Sequence, residues 1–313
     1  MINQMAKQLH LTRREFGQSW RACVPDWTSR YTDWCAPSTI QAYEATLIAD
    51  DSRVDQFFDG NTAALTADEQ NGLRLFRGRQ TDCTDCHAGA ELTLASFSGV
   101  GENQGRGGRA NDPGFFRTGA RPITDDAGLG GVDSFGNPFS RTVALNAGAA
   151  NTVQGLFKTP GLRNVEFTGP YQHNGGQSTL EQVIDFYSRG GDFPGGGNLG
   201  PGIGNKNLSA ADKASVVAFL KALSDDRVRY ERAPFDHPEL CVTVGQQTAS
   251  ATTLLLDTSS PQFVLSAADR WAGVPAVGKA GSVAPLQTFD ELLQGIGADG
   301  SRAHSLQDRC SIL

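Results

Sequence analysis

The stretch TDCTDCHAG, residues 81 to 89, sets two thiols and an imidazole, those of Cys83, Cys86 and His87, in the spacing C-x-x-C-H. Three chemistries use paired cysteines at this spacing. A structural zinc site needs four ligands, usually completed by a second C-x-x-C or a closely spaced histidine pair. The other cysteines (Cys23, Cys35, Cys241, Cys310) and histidines (His10, His173, His237, His304) form neither. A thioredoxin-like dithiol opens a helix within a βαβ unit, whereas the flanks here are glycine-rich and irregular. Covalent c-type haem requires two thioethers to the porphyrin vinyl groups and an adjacent histidine on the iron. The motif meets that demand, so one covalent haem c on Cys83, Cys86 and His87 is expected.

The far side of the iron needs its own donor. Electron-transfer haems commonly use a methionine thioether, which raises the potential. The only methionines here are Met1 and Met5, both far from the motif. His/Met ligation is therefore not expected, and the iron is either open or takes another donor. Two side chains stand out: His173 in GPYQHNGG, and Tyr187 in STLEQVIDFY.

Elements to position these residues are legible. TADEQNGLRLF opens with Thr66 and carries Glu69 three residues on, a capping box, with Leu73 and Phe76 on one face leading into the haem loop. STLEQVIDFY repeats the device, with Ser178 as cap and Glu181 reaching back. Leu180, Val183, Ile184 and Tyr187 then fall at i, i+3, i+4 and i+7, so Tyr187 shares the buried stripe. SAADKASVVAFLKAL places Val216, Val217, Leu220 and Leu223 inward behind a Ser209 cap. Ile40, Tyr43, Leu47 and Ile48 recur at near-helical spacing upstream.

The chain has 313 residues, enough for one large or two ordinary domains. Its 37 glycines, 14 prolines and 19% charged residues indicate a loop-rich globular protein. A net charge of -7 argues against nucleic acid or an anionic membrane as partner. There is no apolar run long enough to span a bilayer. The amino terminus lacks the apolar core and cleavage site of a secretory signal, although bacterial haem c is attached outside the cytoplasm.

The fold class expected is mainly α, a cytochrome c-like haem domain of few helices and long Gly-rich loops, with a loop-rich carboxy-terminal extension. Three regions follow: 1–60, helical; 61–232, the haem domain; and 233–313, the extension, where Phe289, Leu292 and Leu293 form a short helix-like stretch expected to pack on the haem domain. The four cysteines outside the haem motif allow three pairings, of which Cys23/Cys35 with Cys241/Cys310 closes loops of workable length.

Residues 40 to 232 carry a resemblance. ALTADEQNGLRLFRGRQTDCTDCHAG, then FKTPGLRNVEFTGPYQHNGGQSTLEQVIDFYSRGGD and LSAADKASVVAFLKALSDD, in that order, resemble the carboxy-terminal haem domain of bacterial di-haem cytochrome c peroxidases and MauG-type proteins. AYEATLIADDSRVDQFFDG resembles the segment that joins that family's two haem domains.

The resemblance implies an oxidoreductase that uses hydrogen peroxide and stores or passes electrons at this haem. Such proteins work in the periplasm, supplied by a small redox protein or a quinol-derived donor and in some members acting on a protein substrate. The position fourteen residues after the histidine of the P-Y-x-H-x-G motif, a methionine in the peroxidases and a tyrosine in MauG-type proteins, is Tyr187 here, which becomes the expected distal ligand. A hard phenol oxygen favours ferric iron. The resemblance further implies a calcium ion held by the backbone carbonyls of Thr168 and Pro170, and haem propionates paired with Lys158 and Arg163. The family's second C-x-x-C-H, its peroxide-reactive half, has no counterpart in these residues. The chain thus resembles an amino-terminally incomplete member, with residues 1–60 a remnant of the missing domain and its linker. The alternative is an electron-transfer cytochrome c domain without peroxidase activity of its own.

Overall fold

A computed structural model describes residues 43–96, 112–195, 199–238, 240–246 and 269–294. The chain divides into two compact units. The larger comprises Ala49–Val228 with Leu286–Gln294 and is helical with long connections, as the composition implies.

Helix α1 (Arg53–Phe58) opens the larger unit behind a Ser52–Asp55 capping box. Helix α2 (Ala67–Phe76) follows with the expected reciprocal cap, in which the Thr66 side chain accepts from Glu69 N and the Glu69 carboxylate takes Thr66 N. Short strands β1 (Phe115–Phe116) and β2 (Phe157–Lys158) pair antiparallel, and between them lies α3 (Arg141–Leu145), capped by Ser140. Helices α4 (Leu180–Arg189) and α5 (Ala210–Ala222) complete the frame.

Helix α5 is the floor of the unit. Val216, Val217, Phe219 and Leu220 are buried, with Phe219 tilted on Phe76 of α2 at 5.0 Å between ring centroids. The α2–α5 crossing is close because Gly72 has no side chain. A Cβ there would lie 1.9 Å from the Ser215 carbonyl oxygen. Asn71 Nδ2 donates to Ser215 Oγ across the same crossing at 3.0 Å. Helix α4 packs on α5 through Leu180 and Ile184. Its outer edge is bridged by Lys213–Asp185 at 2.6 Å and Lys221–Glu181 at 3.2 Å.

The second of the expected caps falls one residue later than the sequence suggests. Thr179, not Ser178, is the N-cap of α4 and accepts from Gln182 N. Gln182 Oε1 reaches back to Ser178 N at 2.7 Å. Glu181, given that role by the sequence pattern, instead faces Lys221, because its place in the first turn points it at α5. Upstream, Leu47 and Ile48 lie beyond any helix, and Ile48 is exposed. Tyr43 and Glu44 are helical, and Ile40 lies outside the described residues.

Helix α6 (Phe289–Gln294) belongs to the larger unit. Phe289 packs on the bare face of Gly169, where an added Cβ would come within 2.7 Å of the Phe289 Cβ, while Leu292 and Leu293 are exposed. The smaller unit contains β3 (Leu240–Gln246) and β4 (Asp269–Val274), antiparallel, with an irregularity between Thr243 and Gly245. Cys23, Cys35, Cys310 and the side chain of Cys241 lie outside the described residues, as does the TTLLLD run.

Candidate haem site

The anchoring loop leaves α2 at Phe76 and is folded on itself. Thr81 Oγ1 donates to Leu75 O at 2.6 Å, and Asp82 takes a left-handed conformation, φ 55°. A single 3-10 turn, Cys83–Asp85, follows, in which Cys86 N and His87 N both donate to Cys83 O. Both thiols are free and half-buried. The His87 Nδ1 lies 2.9 Å from Leu92 O. A carbonyl can only accept, so the proton sits on Nδ1 and the Nε2 lone pair is left to bind. Burial favours the neutral ring and lowers the His87 pKa against the opposing pull of its hydrogen bonds to the Leu92 and Pro160 carbonyls. Burial likewise raises the thiols, Cys86 to about 12.

Facing this loop is the apolar stripe of α4. Leu180, Val183, Ile184 and Tyr187 line the same cavity as Cys83, Cys86 and His87. The cavity holds about 440 Å³, within the roughly 300–1,000 Å³ of small-molecule and cofactor pockets. Phe76, Leu162, Val165, Val216 and Leu220 supply most of the remaining apolar wall. Burial pushes the Tyr187 phenol up to about 12, partly offset by a hydrogen bond with the Gln172 side chain. An apolar slot with two free thiols and a tautomer-fixed imidazole on one wall and a buried phenol elsewhere on its lining suits a covalently anchored, largely apolar macrocycle. Asp82 is the only carboxylate among the described residues of the lining.

Comparison with known proteins agrees with this chemistry. No family model matches the chain. Over 193 residues it is 33% identical to cytochrome-c peroxidase IdrP2 of Denitromonas iodatirespirans, a match covering 60% of this chain and 48% of that protein. Over 186 residues it is 26% identical to methylamine utilization protein MauG of Methylorubrum extorquens, covering 59% and 43%. This chain is a relative of the bacterial cytochrome c peroxidases and MauG. Among solved structures, a MauG-like protein associated with microbial copper homeostasis superposes with a TM-score of 0.51 at 27% identity, over 74% of this chain and 65% of that one. The chain spans about half the length of the curated relatives it matches. Haem c is the cofactor of these proteins. No helix among the described residues is long and apolar enough to cross a membrane.

Of the residues singled out in the sequence of this peroxidase relative, Cys83, Cys86, His87, Lys158, Thr168, Pro170, His173 and Tyr187 all line the one cavity. Arg163 does not line it. Its guanidinium forks onto Asp55 through two bonds of 2.8 Å and also donates to the Ala49 and Ala90 carbonyls. Those four acceptors hold it at the junction with α1. His173 is on the rim, stacked on Phe157 at 3.6 Å and 9°, with Nε2 2.5 Å from Asp126 Oδ2. Tyr187 lines the cavity from α4. Sequence reasoning missed Gln172 and Lys206. Gln172 carries no signal apart from its position beside His173. Lys206, in the glycine-rich stretch before α5, lines the cavity with Nζ 2.7 Å from Asp82 Oδ2, and an Asp directly before a C-x-x-C-H was the available hint of a cationic partner.

Proposed function

We propose that this chain provides the haem c site of a periplasmic, peroxide-using oxidoreductase of the cytochrome c peroxidase and MauG type, in which the haem passes electrons or holds oxidising equivalents. Cys83 and Cys86 would anchor one haem, and His87 Nε2 and the Tyr187 oxygen would supply ligands to its iron. Lys158, exposed at the cavity edge, pairs with a propionate. The carbonyls of Thr168 and Pro170 serve a calcium ion, as the resemblance implies. When bound, the haem supplies a one-electron couple. What the chain itself supplies is an apolar, water-poor slot, an imidazole held in one tautomer, and a phenol oxygen. Hydrogen peroxide, a small redox protein or quinol-derived donor, and in some settings a protein substrate are the partners of the whole enzyme.

The observation that carries this reading is the placing of Tyr187 on the wall of the C-x-x-C-H cavity in a chain whose only methionines are Met1 and Met5. A second reading, electron transfer without peroxide chemistry in this chain alone, is favoured by a separate observation. General acid–base help to O–O cleavage needs a side chain placed to move a proton. The one carboxylate among the described lining residues, Asp82, is paired with Lys206, and the lining imidazole of His173 is engaged at the rim by Asp126 Oδ2.

The test is a spectrum of the haem-loaded protein, made by periplasmic expression, with and without Tyr187→Phe, before and after hydrogen peroxide. A low-spin ferric wild type whose Tyr187→Phe variant becomes high-spin and peroxide-reactive supports Tyr187 ligation and the storage or transfer role. A wild type already high-spin that turns over peroxide refutes the ligand assignment and makes this haem the reacting site.

A further inference from the structure

The segment Pro201–Leu208 crosses one side of the cavity and is attached at both ends of the site. Toward the anchoring loop, Lys206 Nζ donates to Asp82 Oδ2 at 2.7 Å, with the Lys206 side chain 16% exposed. Gly202, at φ +73°, lies so close to Asp82 that a Cβ would sit 2.6 Å from the Asp82 Cβ. Toward α4, Lys206 N and Asn207 N donate to Ser188 O at 2.8 and 3.3 Å, and Leu208 N donates to Ser188 Oγ at 3.1 Å. Gly190, the left-handed cap of α4, leaves room for the same strap, since an added Cβ there would lie 2.9 Å from the Asn205 amide nitrogen. Asp82 immediately precedes Cys83, and Ser188 immediately follows Tyr187. One lysine therefore joins, by its side chain and its backbone, the residue before the first thiol to the residue after the phenol.

We propose that Lys206 is a positioning residue of the haem site, its clasp on Asp82 and Ser188 setting the reach from the cysteine anchors to the Tyr187 oxygen. The inference rests on the assignment of Tyr187 as ligand. A half-buried ammonium–carboxylate bond is the strong member of the strap, because charge-assisted bonds exceed neutral ones about twofold. With it removed, the strap keeps its backbone bonds to Ser188 but loses its hold on the anchoring loop, and the Tyr187 oxygen no longer has a fixed distance to the iron.

The test uses the haem-loaded full chain and reads the ferric high-spin to low-spin ratio by electron paramagnetic resonance. Lys206→Met is expected to raise that ratio roughly tenfold, the equivalent of losing one charged hydrogen bond. Asp82→Asn, which conserves volume, is expected to do the same, and the double variant no more than either. Lys206→Arg is expected to restore most of the low-spin form. Single variants that load haem normally and keep the wild-type ratio overturn the proposal. A second readout is amide hydrogen exchange at Lys206, Asn207 and Leu208 in the haem-free chain, expected to accelerate in Lys206→Met. If Tyr187→Phe leaves the wild-type spectrum unchanged, the ligand assignment has failed by itself. The strap is then judged on exchange alone, and unchanged rates refute it.

Discussion

Gly72→Ala tests whether the α2–α5 crossing governs the site. The residue is in the middle of α2, where alanine is intrinsically the better helix former by about 0.8–1.0 kcal/mol. On helix propensity alone the substitution stabilises. The structure predicts the opposite sign, because the new methyl would lie 1.9 Å from Ser215 O, 2.6 Å from Ser215 C and 2.8 Å from Phe219 Cβ. Two of these are backbone atoms of α5 that no rotamer change can move, so the helices must part. Overpacking of this kind costs about 1–3 kcal/mol, and the upper end applies where the obstacle is main chain. The net effect is a loss of about 1–2 kcal/mol once the propensity gain is set against it. For a unit of this size that lowers the melting temperature by roughly 2–8 °C. Because Phe76 ends α2 and lines the cavity, haem loading should fall in parallel. The assay is urea and thermal unfolding of both proteins, with haem content by pyridine haemochrome absorbance. An unchanged or raised melting temperature with full haem loading would refute the claim that contact at Gly72 fixes the crossing.

Two further outcomes concern the junction of α1 with the rest of the unit. Burial would raise the Asp55 carboxyl, but the Arg163 fork and Ser52 outweigh it and hold it at about 2, below the ordinary value of 3.8. A depressed carboxyl contributes stability that is present above the ordinary value and is lost as pH falls from about 4 toward 2. Unfolding free energy measured across that window should therefore decline less steeply in Asp55→Asn than in wild type, and equal slopes would contradict the pairing. Arg163→Gln should lower stability by about 1.5–3 kcal/mol, the range for hydrogen bonds to a charged group, while the visible spectrum and reduction potential of the loaded protein stay at wild-type values. A shifted potential would return Arg163 to the haem.

The sequence disclosed what depends on local pattern. C-x-x-C-H needs no tertiary context to be read, and the Thr66 and Ser209 caps sit where the side-chain chemistry of the first turn puts them. The inward face of Tyr187 followed from its spacing to Leu180, Val183 and Ile184. The α4 cap slipped by one residue because Ser178 and Thr179 are both competent N-caps. The structure pairs Thr179 with Gln182, while Glu181 faces Lys221 of α5, a contact that local pattern does not disclose. The Asp55 partner of Arg163 was hidden for a related reason. A cation near a haem motif has two kinds of carboxylate to choose from, and its selection of Asp55, 108 positions away in sequence, depends on how α1 folds back. Strand β3 carries a period-two signal in Leu240, Val242 and Val244, but its partner begins more than twenty residues later, so no tight turn announced the pairing. For Lys206 the one hint was Asp82 before the C-x-x-C-H motif, and it did not say which cation would answer, because that lies in the two residues the lysine joins.

The two halves of the site are registered against each other by separate routes, and the difference between them bears on function. The floor route runs from α2 through Gly72 and Phe76 onto α5, and from α5 through Leu220 and the Lys213–Asp185 and Lys221–Glu181 bridges to α4. It consists mainly of close packing, which resists small displacements, and its two ion pairs lie on the exposed outer edge, away from the cavity. The strap route runs from Asp82 through Lys206 to Ser188 and depends on one ion pair at the edge of the cavity. A perturbation of the floor should change stability and haem loading together, since the core and the slot share Val216 and Leu220. A perturbation of the strap should leave the core intact and alter only how the Tyr187 oxygen meets the iron. Gly72→Ala and Lys206→Met therefore belong to different classes of defect, one seen in unfolding and one in spin state. A Lys206→Met protein that unfolds as easily as Gly72→Ala would mean that the strap is part of the core after all.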